Sequence, residues 1–342
     1  MIVPKRVYFK LAGVAAALAM GASASFSALA IDITGAGATF PYAVYTKWAE
    51  AYKAATGNQV NYQGIGSSGG VKQIKAKTVD FGGSDAPVKE ADLDAAKLVQ
   101  VPTVMGGVTI VTNVPGIESG KLKLDGVTAA NIFRGAITKW NDPAIAKLNP
   151  GVALPDLAIT VSHRSDGSGT TYAFSHYLAK QSMAFMRDVG AGNTVNWPAN
   201  AVGGKGNAGV AANVQKIKGA IGYVDIADAM KNNMNFVALK NRAGNYIVPS
   251  QQSVADAAAG ANFKVKGMAP DLLDQSHKNA WPITSATYML AYEKGDPAKQ
   301  KGVVDFFTWS LNNGQQMATD LGFVALPPNV VKMVEAEMKT IK

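Results

Sequence analysis

Hydrophobic and polar positions along the chain follow two different periods. Short apolar runs typical of β-strands, such as residues 59–63 and 157–163, alternate with segments whose apolar positions recur at helical spacing. The clearest helical segment covers residues 41–56 and ends at Gly57. Because strands that alternate with amphipathic helices are typical of mainly parallel sheets, the pattern predicts an α/β fold.

Two longer apolar stretches interrupt this alternation. Residues 99–113 are almost continuously apolar with a Gly-Gly interruption, and residues 281–292 are mostly apolar as well. Long buried strands of this kind suit crossings between domains. We therefore predict that residues 31–106 and 280–342 form domain 1 and residues 107–279 form domain 2. Two domains joined by two extended strands imply hinge closure over a cleft.

The first thirty residues have the pattern of an export signal. Three basic residues precede the apolar stretch 11–24, which is followed by the A-x-A sequence of residues 28–30. We therefore interpret residues 1–30 as a signal peptide, with cleavage after Ala30. The apolar stretch is shorter than a membrane span needs to be.

Charge and cysteine content restrict which cellular compartment and which classes of partner we expect for the protein. The full chain has 33 Lys and Arg against 24 Asp and Glu, and loss of three basic residues with the signal leaves 30 against 24, or +6. The chain has no block of like charges and no nucleic-acid motif, so we expect no nucleic-acid partner. Without cysteine the mature chain has no site for a lipid anchor. We expect a soluble periplasmic monomer.

The most informative chemistry lies in residues 163–171, His-Arg-Ser-Asp-Gly-Ser-Gly-Thr-Thr. Glycines let the backbone approach a ligand, and free N–H groups at a helix start form a ready anion site. Arg164 adds a planar two-pronged donor, which Asp166 is close enough to orient. The alternative is an ordinary strand–turn–helix junction with Ser168 or Thr170 as the N-cap.

Two further loops have the same character. Residues 34–41 lead into the first predicted helix, with Thr39 as a plausible cap. Residues 64–70 lead into the second helix and carry hydroxyl groups at Ser67 and Ser68. Several neutral donors with one arginine form the donor set that a dehydrated oxyanion needs.

Asp85 differs from the rest of this set. A carboxylate repels a bound anion unless the anion carries a proton to donate. Phosphate at neutral pH has such a proton and sulfate has none. The alternative for Asp85, which follows a predicted short strand, is an ordinary turn cap.

Two motif matches offer enzymatic alternatives. Residues 64–69 fit the Gly-x-Gly-x-x-Gly dinucleotide fingerprint, but they do not lie in the first βα unit. Residues 66–70 fit a nucleophile elbow, which would make Ser68 a nucleophile. None of the three histidines lies in a recognisable partner motif, and no spacing suggests a metal site. We therefore expect no catalysis, no cofactor and no metal.

The chain resembles the periplasmic phosphate-binding proteins of the bacterial high-affinity phosphate ABC transporter, the PstS family. The matching stretches are TGAGATFP (34–41), YQGIGSSGGVKQI (62–74), VDFGGSDAP (79–87), IFRGAITKWNDPAIAKLNPG (132–151), RSDGSGT (164–170), GGKGN (203–207), GAIGYV (219–224) and WPIT (281–284). They follow one another in order from residue 34 to residue 284, and so extend over most of the mature chain. The resemblance implies a two-domain type II periplasmic binding-protein fold with two crossover strands and phosphate in the interdomain cleft.

The resemblance also implies the site and the partners. The phosphate-binding residues would be Thr39, Phe40, Ser67, Asp85, Arg164, Ser168, Gly169 and Thr170, supported by Asp166. The protein would capture inorganic phosphate and deliver it to the transporter's membrane permease, with no bond made or broken. The alternatives are an exported serine phosphoesterase that uses Ser68 or Ser168, and a receptor for another tetrahedral oxyanion such as sulfate.

Overall fold

The computed structural model describes Met1 and residues 31–342. The predicted signal peptide and its cleavage site after Ala30 therefore lie outside the described residues, apart from Met1. Within the described part of the chain, no helix combines the length and the apolar character needed to cross a membrane.

Twelve strands are present in the described residues. They are β1 (Asp32–Gly37), β2 (Gln59–Gly64), β3 (Phe81–Ser84), β4 (Leu98–Thr112), β5 (Lys123–Leu124), β6 (Thr160–Arg164), β7 (Val202–Gly204), β8 (Ala220–Asp225), β9 (Asn235–Phe236), β10 (Ala238–Lys240), β11 (Tyr246–Ile247) and β12 (Thr284–Tyr292). Nine of them form one sheet in the order β2-β1-β3-β12-β4-β8-β6-β7, with β9 paired to β4. The other three form a small sheet in the order β11-β10-β5.

The helices in the same part of the chain lie between these strands and at its C-terminal end. They are α1 (Tyr42–Thr56), α2 (Ser67–Lys75), α3 (Glu90–Ala96), α4 (Gly126–Phe133), α5 (Pro143–Leu148), α6 (Gly169–Gln181), α7 (Met183–Asp188), α8 (Gly206–Lys216), α9 (Ile226–Lys231), α10 (Gln251–Ala258), α11 (Pro297–Asn313), α12 (Gln315–Asp320) and α13 (Pro328–Met338).

The long strand β4 is shared by the two halves of the large sheet. Residues 98–107 pair with β12, and residues 108–112 pair with β8, both antiparallel. The flanking groups β2-β1-β3 and β8-β6-β7 are parallel within themselves. The expectation of mainly parallel sheets was therefore wrong, since the sheet is mixed. Because the chain leaves one half of the sheet along β4 and returns along β12, these two neighbouring strands must run in opposite directions.

Two element boundaries differ from the sequence pattern in ways that matter for the site. The second helix begins at Ser67 rather than at Val71, because Gly66 turns the chain with φ of 90° and lets the helix start immediately after it. The strand predicted from residue 157 begins at Thr160 and ends at Arg164. Ser67 and Arg164 therefore lie at the ends of regular elements, where packing holds the backbone.

Buried aromatic residues support each half of the sheet. In one half, Tyr45 stacks on Trp48 at 5.8 Å, and Trp48 Nε1 donates to Gly314 O at 2.8 Å. In the other half, Tyr223 stacks on Phe174 at 4.3 Å. Full burial of such side chains stabilises a fold by about 1.5–3 kcal/mol each, so the strand ends that carry the site rest on rigid cores.

Candidate phosphate-type oxyanion site

The predicted site residues lie where strands of the large sheet end. They are Thr39 and Phe40 after β1, Ser67 at the start of α2, Asp85 after β3, Arg164 at the end of β6, and Ser168, Gly169 and Thr170 at the start of α6. Ligand sites of open α/β sheets lie at the carboxyl ends of the strands. The topology therefore brings together loops that are more than a hundred residues apart in sequence.

Ser67 is the centre of one half of the site. Its fully buried hydroxyl oxygen accepts hydrogen bonds from the N–H groups of Asp85 at 3.1 Å and Gly169 at 3.0 Å. A Cβ atom at Gly169 would lie 2.6 Å from both Asp85 Cβ and Ser67 Oγ. Only glycine fits this approach, so the start of α6 is tightly packed against the loop after β3.

Asp85 is a buried carboxyl group with a hydroxyl partner. Thr287 on β12 donates to Asp85 Oδ1 at 2.5 Å, and Asp85 is 2% exposed. Burial raises the pKa of Asp85 to about 7, although the hydrogen bonds of Thr287 and Ser67 and the charge of Arg164 oppose the rise. The group can therefore gain or lose a proton near neutral pH.

Arg164 is held almost completely by its own half of the molecule. Its Nε and Nη2 bind the two carboxylate oxygens of Asp166 at 2.8 and 2.5 Å. Its Nη1 donates to Asn207 Oδ1 at 2.7 Å and to Thr170 Oγ1 at 3.3 Å. A guanidinium has five N–H donors, and these bonds account for four. One Nη2 hydrogen remains for a ligand.

Asp166 compensates the charge of Arg164. Burial by itself would raise the pKa of Asp166, but the hydrogen bonds and charge of Arg164 outweigh it and hold the pKa below its usual value. The N–H of Gly206 also donates to Asp166 Oδ1 at 3.0 Å. The predicted pairing of Asp166 with Arg164 is therefore present as a two-pronged ion pair.

The start of α6 is capped by Ser168, one of the two caps that the sequence left open. Its hydroxyl oxygen accepts from Thr171 N–H at 3.1 Å. Ser168, Gly169 and Thr170 are all buried. Thr171 shares a hydrogen bond of 2.7 Å with the Tyr223 hydroxyl, which also accepts from Arg164 N–H at 3.1 Å. The helix start and the end of β6 are thus fixed to the same core side chain.

Thr39 does not cap α1, contrary to the expectation from the sequence. The N-cap position is Pro41, and no side chain caps the helix there. The Thr39 hydroxyl oxygen instead accepts from Asn207 N–H at 3.4 Å. The Phe40 ring is buried edge-on to Phe323 at 5.6 Å. Among the described hydrogen bonds, none uses the backbone N–H of Thr39 or Phe40 as donor.

Loops from the two halves contact each other directly. Ser68 N–H donates to Gly167 O at 3.0 Å, and Asn193 Nδ2 donates to Ser68 Oγ at 3.1 Å. With the Thr39–Asn207 contact, these bonds join the halves around the Arg164 and Asp85 side chains. The arrangement encloses the polar groups of the site and removes them from bulk water.

The three histidines do not form a catalytic pair with a site serine. His163 stacks on Trp197 at 5.4 Å, and His176 Nδ1 lies 2.8 Å from Tyr172 O. His277 Nδ1 lies 3.9 Å from Asp256. In the described residues, no group of three or more His, Cys, Asp or Glu side chains could hold a metal ion.

The sequence did not single out Asn207, Tyr223 and Thr287 as parts of this site. Thr287 reaches Asp85 across 202 positions of sequence, and Tyr223 reaches Arg164 across 59. Sheet register sets both contacts, and no local signal reveals it. Asn207 had a signal, because the glycine-rich stretch 203–207 leads into a helix in the same way as the other site loops.

Comparison with known proteins places the chain among binding proteins. A family model described as a PBP superfamily domain matches residues 21–313. The chain is 49% identical over 308 residues to the phosphate-binding protein PstS of Xylella fastidiosa (strain 9a5c). The aligned region covers 90% of this chain and 84% of the relative. It is also 49% identical over 310 residues to the phosphate-binding protein PstS of Pasteurella multocida (strain Pm70), and the aligned region covers 90% of each chain.

A solved structure with a similar fold is a high affinity periplasmic phosphate-binding protein (PfluDING) bound with phosphate. The two share 23% sequence identity with a TM-score of 0.71, over 90% of this chain and 93% of that chain. At this identity the likeness concerns the fold. The predicted α/β type II periplasmic binding-protein fold is thereby confirmed.

Proposed function

The chain belongs to the PBP superfamily and, within it, to the PstS phosphate-binding proteins, and from that premise we propose how its residues hold their ligand. The protein captures inorganic phosphate for a phosphate ABC transporter, and it is a binding protein rather than an enzyme. The observation that carries the proposal is that donor-rich loops from both halves of the molecule meet at one buried carboxyl group, Asp85.

Phosphate is held by donors from both halves of the molecule. The proposed ligands are Thr39, Phe40, Ser67, Asp85, Arg164, Ser168, Gly169 and Thr170. The remaining Nη2 hydrogen of Arg164 supplies the charged donor, and Asp85 accepts the proton of the anion. Since the unprotonated oxygens need donors and the protonated oxygen needs an acceptor, the set matches hydrogen phosphate better than sulfate.

Capture works by closure of two domains. The shared strand β4 and the antiparallel β12 support crossings near residues 106 and 280, with residues 107–279 as the second domain. Phosphate binding would favour the arrangement in which Ser68 and Gly167 are in contact. The closed monomer would then present phosphate to the membrane permease, in the periplasm and after cleavage behind Ala30.

Calorimetric titration of the ligand-free protein tests this function. Inorganic phosphate should bind with one-to-one stoichiometry, and sulfate at the same concentration should give no saturable heat. Purified protein should not hydrolyse an aryl phosphate. Equal affinity for the two anions would contradict the proposed role of Asp85, and the absence of phosphate binding would overturn the function.

A further inference from the structure

The turn between β7 and α8 touches both charged groups on the Arg164 side of the site. Gly206 N–H donates to Asp166 Oδ1 at 3.0 Å, and Asn207 Oδ1 accepts from Arg164 Nη1 at 2.7 Å. The same turn reaches the other half of the molecule, because Asn207 N–H lies 3.4 Å from Thr39 Oγ1. None of the proposed phosphate ligands comes from this turn.

The amide of Asn207 is itself oriented from behind. Asn207 is fully buried, and its Nδ2 donates to Asp225 Oδ2 at 2.6 Å. The other oxygen of Asp225 caps α9 by accepting from Asp228 N–H at 2.8 Å. An amide whose nitrogen faces a carboxyl acceptor can present only its oxygen to the guanidinium. Asp225 therefore determines which end of Asn207 meets Arg164.

This arrangement controls one edge of the guanidinium. Asp166 holds the Nε and Nη2 edge, and Asn207 holds Nη1. Without Asn207 Oδ1, one Nη1 hydrogen of the buried group would lose its acceptor, and only the longer bond from Nη1 to Thr170 Oγ1 at 3.3 Å would resist tilting about the bond with Asp166. The hydrogen of Nη2 that remains for the ligand would then lose its fixed direction.

We propose that Asn207 is a positioning residue for phosphate, because it fixes the Arg164 guanidinium with Asp225 behind it and ties that orientation to the Thr39 contact across the cleft. The inference rests on the proposed phosphate-binding function. Asn207 acts through Arg164, so its contribution to affinity exists only while Arg164 is present.

A double-mutant cycle tests this dependence directly. Inorganic phosphate is titrated into the wild type, Asn207→Ala, Arg164→Ala and the double variant, at concentrations high enough to saturate the weakest. Asn207→Ala should weaken binding at least 10-fold in the wild-type background and less than 3-fold in the Arg164→Ala background. Any other pattern overturns the inference, since a purely structural role would reduce affinity in both backgrounds.

The matched control is Asn213→Ala on the same helix. The Asn213 amide donates to Ser162 Oγ at 3.2 Å and Gly203 O at 3.3 Å, outside the site. Its removal should change phosphate affinity less than 2-fold. A loss as large as that of Asn207→Ala would show that any change in α8 disturbs the site, and would overturn the specific role of Asn207.

A rescue experiment covers the case in which Asn207→Ala fails to fold. Asp225→Asn keeps a cap for α9 but turns an amide nitrogen toward Asn207 Nδ2, which forces the Asn207 amide to flip against Arg164. Combining it with Asn207→Asp restores the hydrogen bond with donor and acceptor exchanged, because the amide introduced at position 225 can donate to the carboxylate introduced at position 207, which also accepts from Arg164 Nη1. The N207D/D225N double variant should bind phosphate at least 5-fold more tightly than D225N, and equal or weaker binding overturns the inference. If the wild type itself did not bind phosphate, the proposed function would be overturned as well.

Discussion

Asp85 and Asp166 are both carboxyl groups of one site, but their surroundings differ. Asp85 is 2% exposed and receives a hydroxyl hydrogen bond from Thr287. The Asp166 side chain is 15% exposed and forms a two-pronged ion pair with Arg164. The pKa is raised to about 7 in Asp85, mainly by burial, and lowered in Asp166, where Arg164 outweighs burial.

The difference shows how two identical functional groups take different roles. Asp166 stays ionised and pairs with Arg164 through both carboxylate oxygens, so it adds no free acceptor to the site. Asp85 has no such ion pair, and we propose that its carboxyl group accepts a hydrogen bond from the ligand. One half of the site therefore supplies a compensated positive charge, whereas the other supplies neutral donors and a single carboxyl group, which in the proposed binding mode would select the protonation state of the anion.

The largest expected effect comes from removing the acceptor character of Asp85. Asp85→Asn should reduce the preference for phosphate over sulfate from about 10⁴-fold toward unity, because an amide can donate to an unprotonated oxygen. Competition titrations with both anions measure the ratio. An unchanged ratio would contradict the assignment of selectivity to Asp85.

Removal of the charged donor should have the next largest effect. Arg164→Ala should weaken phosphate binding by roughly 2–5 kcal/mol, because an enclosed anion would lose its charged partner. Arg187→Ala is the control, since that side chain is 74% exposed and pairs with Asp188 on the surface. Titration calorimetry compares the two variants, and equal losses would show a general effect of net charge.

The raised pKa of Asp85 predicts a dependence of stability on pH. Between pH of about 4 and 7 the folded, ligand-free protein binds a proton at Asp85 that the unfolded chain has lost, so the free energy of unfolding falls as pH rises. The stabilisation is fully present below the unfolded pKa and lost as pH rises through about 7. The loss is on the order of 2–4 kcal/mol.

Urea unfolding at pH 4 and pH 8 measures this effect in the wild type and in Asp85→Asn. The variant cannot titrate at this position, and the other ionisable groups are common to both proteins. The difference in unfolding free energy, wild type minus variant, should therefore be smaller at pH 8. A difference that is constant or grows with pH would show that Asp85 is not the buried acid that the geometry indicates.

The loops that we propose to bind phosphate were predictable from the sequence because each is contiguous. Residues 163–171 contain the arginine, its counter-ion and the cap of α6, and all three lie close together in the structure. The supports of these loops were not predictable. Thr287 and Tyr223 reach the site through strand register, which depends on how β4 is shared between the two halves. Local spacing carries no information about that pairing.

Among these variants, we expect Tyr223→Phe to have the smallest effect. It tests whether the buried core beneath β6 holds the backbone of Arg164 in place. Its hydroxyl accepts from Arg164 N–H at 3.1 Å and shares a hydrogen bond of 2.7 Å with Thr171, while its ring stacks on Phe174 at 4.3 Å. Tyr223→Phe keeps the ring and removes only the hydroxyl, so the free energy of unfolding should fall by about 1–3 kcal/mol, as two buried polar groups lose a partner.

The matched control is Tyr45→Phe, which removes an equally buried hydroxyl from the Asp85 half. That hydroxyl bonds Thr103 at 2.7 Å rather than a ligand residue. Both variants should lose stability in urea unfolding, and Tyr45→Phe should lose less, because it removes one hydrogen bond rather than two. Only Tyr223→Phe should also weaken phosphate binding, by about threefold, because it alone loosens the backbone of Arg164. Equal affinities in the two variants would mean that the Asp166 and Asn207 contacts hold the guanidinium without help from the strand beneath it.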